Sequence, residues 1–208
     1  MNGVEIDPRI TELHFITPIS NIPSIIQRGI LSNALIKSTH HLSVANNEVQ
    51  ERRDQVRVPN GLLLHQYANL YIDSRNPMLF TLMSNSDKDL CVLRIDTSVM
   101  RFPGVVLTSA NAARDLVQFM SLSEAMARLN IDRIYAQYWV HDDDPIDTWM
   151  HKGEKCAEVL IPHKVDPPFI IGAYVPDSRT RDALLQLGFD KDISVRPDKF
   201  FNKRIGGR

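Results

Sequence analysis

The apolar residues of this chain are concentrated in short runs bounded by turn residues, a pattern that builds strands rather than long helices. The runs are LHFI at 13–16, LLLHQYANLYI at 62–72, PMLFTLM at 77–83, LCVLRID at 90–96, CAEVLIP at 156–162, PFIIGAYVP at 168–176 and ISVRPDKFF at 193–201, those at 62–72, 77–83 and 90–96 reading as strands or strand-turn pieces. They do not alternate regularly with helical stretches. The expected class is therefore α+β with a mainly antiparallel sheet, not doubly wound α/β.

Three stretches carry helix signals. SNIPSIIQRG offers Ser20 or Asn21 as a cap, Pro23 in the first turn and Gly29 as the stop. SLSEAMARLN places Ser121 and Glu124 at capping-box spacing. SRTRDALLQLG starts at Asp177 or Ser178 and closes at Gly188. Residues 31–60 are polar, with a helix expected over Glu48 to Gln55 before Pro59-Asn60-Gly61. RIYAQYWV fits either element. DDDPIDTWMHKGEK reads as a loop by composition.

At 208 residues the chain suits one domain spanning 1–208, large enough to fold without a disulfide or metal staple. The two cysteines, Cys91 and Cys156, lie in apolar runs and outside any CxxC pattern, so both are expected to be buried thiols. MNGVEIDPRI lacks a basic stretch followed by an apolar core, and no apolar run approaches the roughly 20 residues that cross a membrane. A reducing cytoplasm is the expected setting. The histidines show no HxH or HxxxH spacing, so no metal is expected. Rossmann, P-loop and GxSxG fingerprints are all absent from the sequence.

KCAEVLIP then raises a question, because a strand of small and apolar residues carries Glu158 in its middle. A half-buried carboxylate needs an arginine, hydrogen-bond donors or a raised pKa. It is either an edge residue facing water or a carboxylate held on a rigid strand at the floor of a cleft. The arginines of QERRDQVR and Arg75 in SRNPMLF are candidate partners for a carboxylate or a polyanion.

Four pieces, LHFITPISNIPSIIQRGILS, NNEVQERRDQVRVPNGLLLHQYANLYIDSRNPMLF, LTSANAAR and KCAEVLIP, stand in an order that resembles the DarT-type DNA ADP-ribosyltransferase toxins. The likeness runs from about Leu13 to Ile161, and VRPDKFF fits it more loosely. It implies the ADP-ribosyltransferase fold, two small packed sheets with flanking helices around an NAD+ cleft. It implies a single such domain, with NAD+ as co-substrate and a base of single-stranded DNA as acceptor. NLYIDSRNPMLF and SANAAR look closer to the guanine-modifying branch than to the thymine-modifying one. The family's catalytic residues fall on Arg53 and Glu158. Its NAD+-binding positions fall on His14, Thr17, Asn21, Arg53 and Tyr71. Two departures stand out: Ile72 where many members have an aromatic, and Ser109 where many have an aspartate.

The loop between Trp139 and Glu158 corresponds to the family's target-recognition loop. Arg75, Arg114, Lys152 and Lys155 are the candidates for DNA phosphate contact, with Tyr138 or Trp139 for base stacking. A toxin of this type implies an antitoxin that removes the ADP-ribose, a macrodomain or NADAR-type protein, and no membrane partner. The competing expectations are an NAD+-dependent modifier of RNA or protein, an RNA 2′-phosphotransferase on the same fold, or a non-catalytic binding module.

Overall fold

The computed structural model describes residues 4–36, 56–85 and 89–201. Arg53 and the helix expected over Glu48 to Gln55 lie outside them. Eight strands form one sheet: β1 (Leu13–Pro18), β3 (Tyr67–Tyr71), β4 (Leu90–Ile95), β5 (Val106–Thr108), β6 (Phe119–Met120), β7 (Glu158–Pro162), β9 (Ile170–Val175) and β10 (Asp192–Val195). Their order is β10-β9-β4-β1-β3-β7-β5-β6. Pairing is antiparallel except between β9 and β10, which run parallel because α7 (Ser178–Gln186) carries the chain back between them. β2 (Ile30–Leu31) and β8 (Lys164–Val165) form a separate two-stranded ribbon. The α+β class and the antiparallel bias hold. The expected division into two small sheets gives way to one large sheet and this ribbon, whose approach is close: a Cβ on Gly29 would stand 2.1 Å from the Val165 carbonyl oxygen.

Strand alternation divides the sheet's two faces. Leu13, Leu70, Leu93, Val159 and Ala173 point to one face and enter the main core. Ile22 and Ile25 of α1 (Ile22–Arg28), Ala125 of α4 (Leu122–Arg128), and Ile131 and Ile134 of α5 (Ile131–Tyr135) join the same cluster. The opposite face carries two smaller clusters. Ile16, Val92 and Tyr174 pack with Leu79 and Leu82 of α3 (Pro77–Asn85). Tyr67 and Leu160 pack with Val58, Leu64 and Ala112. The central strands also carry polar side chains on this second face.

Several segments differ from expectation. PMLFTLM is the helix α3, not a strand, because the Asn76 side chain accepts the Leu79 N–H at 3.0 Å and Pro77 opens the first turn. DDDPIDTWMHKGEK is not a loop: it forms α6 (Pro145–Glu154), capped by Asp144, which accepts the Asp147 N–H at 2.8 Å. Within LLLHQYANLYI only Tyr67–Tyr71 is strand, after a tight turn over Leu64–Gln66. The strand expected at ISVRPDKFF stops at Val195, where Pro197 opens a second such turn. α2 (Asn33–Ile36) completes the described helices that lie between β2 and the undescribed segment.

Candidate active site

Three of the expected site residues meet in one row. His14 is the register partner of Tyr71 across β1 and β3, and Tyr71 is the partner of Glu158 across β3 and β7. Directly opposed residues of antiparallel strands share a face, so all three side chains issue from the same side of the sheet centre. Asn69, two residues before Tyr71, joins that face.

Glu158 is fully buried, and both of its carboxylate oxygens accept hydrogen bonds. The Ala112 N–H donates to Oε1 at 3.1 Å, and the Asn69 side-chain amide donates to Oε2. The Glu158 N–H in turn donates to Thr108 Oγ1 at 3.0 Å, and that hydroxyl donates to the Ala110 carbonyl at 2.6 Å. The LTSANAAR turn is thus folded around the glutamate. Its aim is fixed from two sides, by the turn and by the neighbouring strand. Asn69, Thr108 and Ala112 escape sequence reasoning, since each is far from Glu158 along the chain.

His14 is buried, and both ring nitrogens face acceptors: Nδ1 lies 3.0 Å from the Ile72 carbonyl oxygen and Nε2 lies 3.2 Å from Glu12 Oε1. Glu12 also accepts from Arg94 Nε at 2.7 Å, and Arg94 Nη1 reaches Asp192 Oδ2 at 2.6 Å. Burial pulls the Glu12 carboxyl upward, but hydrogen bonds from His14, Tyr174 and Arg94 outweigh it and hold the group at about 2. Burial, followed by the Glu12 carboxylate, pushes the Tyr174 phenol up to about 12. No sequence motif announced Glu12.

Thr17 and Asn21 do not join the row. Alternation along β1 sets Thr17 on the face opposite His14, and the Asn21 amide donates to Thr17 Oγ1 at 3.2 Å.

The candidate DNA-contact residues divide. Lys155 is corrected: it is fully buried, with Nζ 2.6 Å from Asp73 Oδ2 and donating to the Ile134 carbonyl at 2.6 Å. It is a structural cation and reaches no phosphate. Burial holds its ammonium below the usual lysine range, against the pull of Asp73. Arg75 donates to the Phe200 carbonyl at 2.5 Å and lies 4.2 Å from the Phe201 ring centroid. Arg114 lies 3.5 Å from the Trp149 ring centroid and donates to the Trp149 carbonyl at 2.8 Å. Lys152, on α6, lines a cavity with Arg75. Among the described residues no group of three or more His, Cys, Asp or Glu side chains is arranged to hold a metal ion. No helix among them is long and apolar enough to cross a membrane.

This geometry has known relatives. Residues 14–201 match the family model described as DarT, ssDNA thymidine ADP-ribosyltransferase. A protein of Thermosipho africanus, named as a DNA ADP-ribosyl transferase–DNA ADP-ribosyl glycohydrolase fusion, is 33% identical over 199 residues, covering 93% of this chain and 50% of that protein. The structure of Thermosipho africanus DarTG in complex with ADP-ribose superposes with a TM-score of 0.78 at 30% identity, over 91% of this chain and 51% of that one. DarT of Thermus sp. 2.9, in complex with ADP-ribosylated ssDNA, superposes with a TM-score of 0.79 at 22% identity, over 96% of this chain and all of that one (100%), a likeness of fold. The chain thus spans about half the length of the Thermosipho protein. With the family model covering nearly its full length, the chain belongs to the DarT family.

Proposed function

We propose that the chain transfers ADP-ribose from NAD+ to a base of single-stranded DNA. The observation that carries this reading is the row His14, Tyr71, Glu158 on one face of three adjacent strands, with Glu158 gripped by Ala112 and Asn69. The family's description, the ADP-ribose bound to the Thermosipho protein and the modified ssDNA bound to the Thermus protein all support it.

The chemistry follows from a rigidly aimed carboxylate. Breaking the nicotinamide–ribose bond leaves positive charge on the ribose ring while nicotinamide departs with the bonding electrons. A carboxylate beside the ribose stabilises that charge, and a fixed one does so without reorganising. The acceptor nitrogen forms the new bond to the same carbon, and Glu158 takes the proton that the nitrogen sheds. His14 and Tyr71 hold the NAD+ ribose and nicotinamide. Arg53 binds the pyrophosphate, for which a planar guanidinium suits bidentate contact. Arg114 and Lys152 meet DNA phosphates. A single-stranded target avoids the few kcal/mol that extracting a base from a duplex costs.

The sequence wording pointed toward guanine, whereas the family description names thymidine and supports thymine as the acceptor. A base carrying ADP-ribose on its pairing edge stops template copying, which makes the activity toxic. The glycohydrolase fused to the Thermosipho relative supports a partner that reverses the modification.

Incubation with labelled NAD+ and, separately, single-stranded DNA, duplex DNA, RNA or protein, beside a Glu158→Ala control, tests the reading. Label on single-stranded DNA, lost in the control, is expected, and mass spectrometry of the digested DNA distinguishes thymine from guanine. Label on RNA or protein instead overturns the acceptor, and equal label in the control overturns the role of Glu158.

A further inference from the structure

The row of register partners does not end at His14. On the other side His14 faces Arg94 of β4, Arg94 faces Gly172 of β9, and Gly172 faces Asp192 of β10. One line of residues thus crosses six adjacent strands, from Asp192 on the edge strand to Glu158.

Neighbouring strands lie about 4.7–4.9 Å apart, so a side chain on β4 must pass over the whole of β9 to reach β10. Arg94 makes that crossing: Nη1 lies 2.6 Å from Asp192 Oδ2, while Nε donates to Glu12 Oε2 at 2.7 Å. Gly172 leaves room for it. A Cβ there would stand 3.0 Å from Arg94 Nη1 and 2.7 Å from the Asp192 carbonyl oxygen. Tyr174, two residues on and on the same face of β9, flanks the guanidinium. Its ring centroid lies 4.9 Å from Arg94 Cζ and 6.1 Å from the His14 ring centroid. Its side chain also hydrogen-bonds Glu12.

Exposure falls along this path: the Asp192 side chain is 60% exposed, Arg94 21%, Glu12 11% and His14 2%. A buried imidazole keeps one orientation when both of its nitrogens have partners. Here the Ile72 carbonyl faces Nδ1 and Glu12 faces Nε2. A glutamate side chain has several rotatable bonds, so it serves as a fixed acceptor only when it is held itself. Arg94 and Tyr174 hold it.

β9, α7 and β10 follow the four sequence pieces that resemble the family, and no step of the reaction described above falls on them. We infer that this C-terminal unit positions the NAD+ site: Arg94, seated over Gly172, flanked by Tyr174 and braced by Asp192, clamps Glu12 so that Glu12 fixes the His14 ring for NAD+. Arg94 and Tyr174 are positioning residues, acting through Glu12. The inference rests on the proposed role of His14 in holding NAD+, and it extends that site across the sheet to β10.

Two variants of the full chain test it. Tyr174→Phe removes one hydroxyl and keeps the ring in its apolar cluster, so its folding is secure. Arg94→Met removes the guanidinium and keeps most of the side-chain length. Three quantities are read: KM for NAD+ beside kcat, NAD+ affinity by calorimetry without DNA, and the ring 15N resonances of His14 in histidine-labelled protein, assigned with His14→Gln. KM is expected to rise about tenfold in Arg94→Met and about threefold in Tyr174→Phe, as for loss of a charged and of an ordinary hydrogen bond. kcat is expected to change by less than about twofold, the mark of lost ground-state binding. NAD+ affinity should fall in parallel, and the His14 ring resonances should move in both variants. Asp192→Asn, at the exposed end, should change KM by less than about twofold.

Unchanged His14 resonances and NAD+ affinity in both variants overturn the inference and leave ADP-ribose transfer standing. A lowered melting temperature with those two readouts unmoved does the same, since it makes the network structural only. Unaltered NAD+ affinity in His14→Gln, in a chain that still labels single-stranded DNA, overturns the inference together with the role of His14 but not the transfer. Label on RNA or protein, with NAD+ affinity lowered in both variants, overturns the acceptor and supports the inference. A parent chain that binds no NAD+ overturns both.

Discussion

Lys155 Nζ lies 2.6 Å from Asp73 Oδ2 with both side chains buried, and the pair joins the approach to β7 to the segment that leaves β3. Removing one member of such a pair leaves a charge without its partner in a site that excludes water, at a cost of about 3–5 kcal/mol. Lys155→Met is therefore expected to lower unfolding free energy by about that amount, measured by urea denaturation. Because the lysine cannot reach DNA, the folded fraction of the variant should bind single-stranded DNA as the parent does. Replacing both residues, Lys155→Met with Asp73→Leu, should recover part of the loss, since an apolar pair leaves no stranded charge.

Glu12 sets up a pH dependence whose sign can be worked out. Its folded value of about 2 lies below its ordinary 4.5, so the folded state favours the carboxylate. The resulting stability is fully present above about pH 4.5 and is lost as pH falls toward 2. A shift of that size corresponds to about 3 kcal/mol. Urea unfolding of the parent and of Glu12→Gln should show a gap of this order at pH 5.5 that narrows markedly by pH 3. The same substitution loosens the grip on His14 and should raise the KM for NAD+ more than it lowers kcat.

The sheet was legible because short apolar runs such as LCVLRID and CAEVLIP leave few alternatives to a strand. The helix at Leu122–Arg128 was legible from local chemistry: Ser121 and Glu124 make the reciprocal bonds their spacing implies, with Ser121 N–H donating to Glu124 Oε2 at 2.8 Å. The two missed helices carried signals of the same kind. Asn76-Pro77 and Asp144-Pro145 each pair a capping side chain with a proline at the first helical position. An unbroken apolar run concealed the first, and acidic composition concealed the second. Of the candidate site, the sequence pointed to Glu158, His14 and Tyr71, which the strand register sets in one row. Asn69, Ala112, Asp73 and Glu12 act through partners brought near by folding; Asn69 and Glu158 are 89 positions apart. Lys155 was misread for a related reason: at the end of a polar segment it resembles a surface cation, and only the placement of Asp73 shows otherwise.

Gly153, like Trp149, is a point of contact between α6 and Arg114. A Cβ there would stand 1.5 Å from Arg114 Nη1, so Gly153→Ala must push the guanidinium off Trp149. The far end of an arginine moves easily, and alanine favours a helix by about 1 kcal/mol over glycine. That gain offsets the lost cation–π contact, itself worth about 0.5–1 kcal/mol at an exposed site. Unfolding free energy should change by less than about 1 kcal/mol. Single-stranded DNA affinity, read by anisotropy, should fall as far as it does in Arg114→Ala. A variant that binds DNA like the parent would show that the arginine's seat on Trp149 has no part in binding.

Cys91 and Cys156 are both buried, and burial pushes each thiol up to about 12, with the Glu158 carboxylate adding to the effect at Cys156. The thiolate is the form that reacts with alkylating reagents, and it is scarce well below that value. An exposed cysteine gains reactivity steeply between pH 7 and 9, around its ordinary value of about 8.5. Neither cysteine of the native chain should. Iodoacetamide labelling, followed by intact mass, is expected to be negligible and flat from pH 7 to 9, and to reach both thiols in denaturant. Selective labelling of Cys156 in the native chain would mean that the strand bearing Glu158 opens locally, because Cys156 stands two residues before that glutamate. NAD+ should then protect the thiol, since a ligand bound to the closed form makes opening rarer.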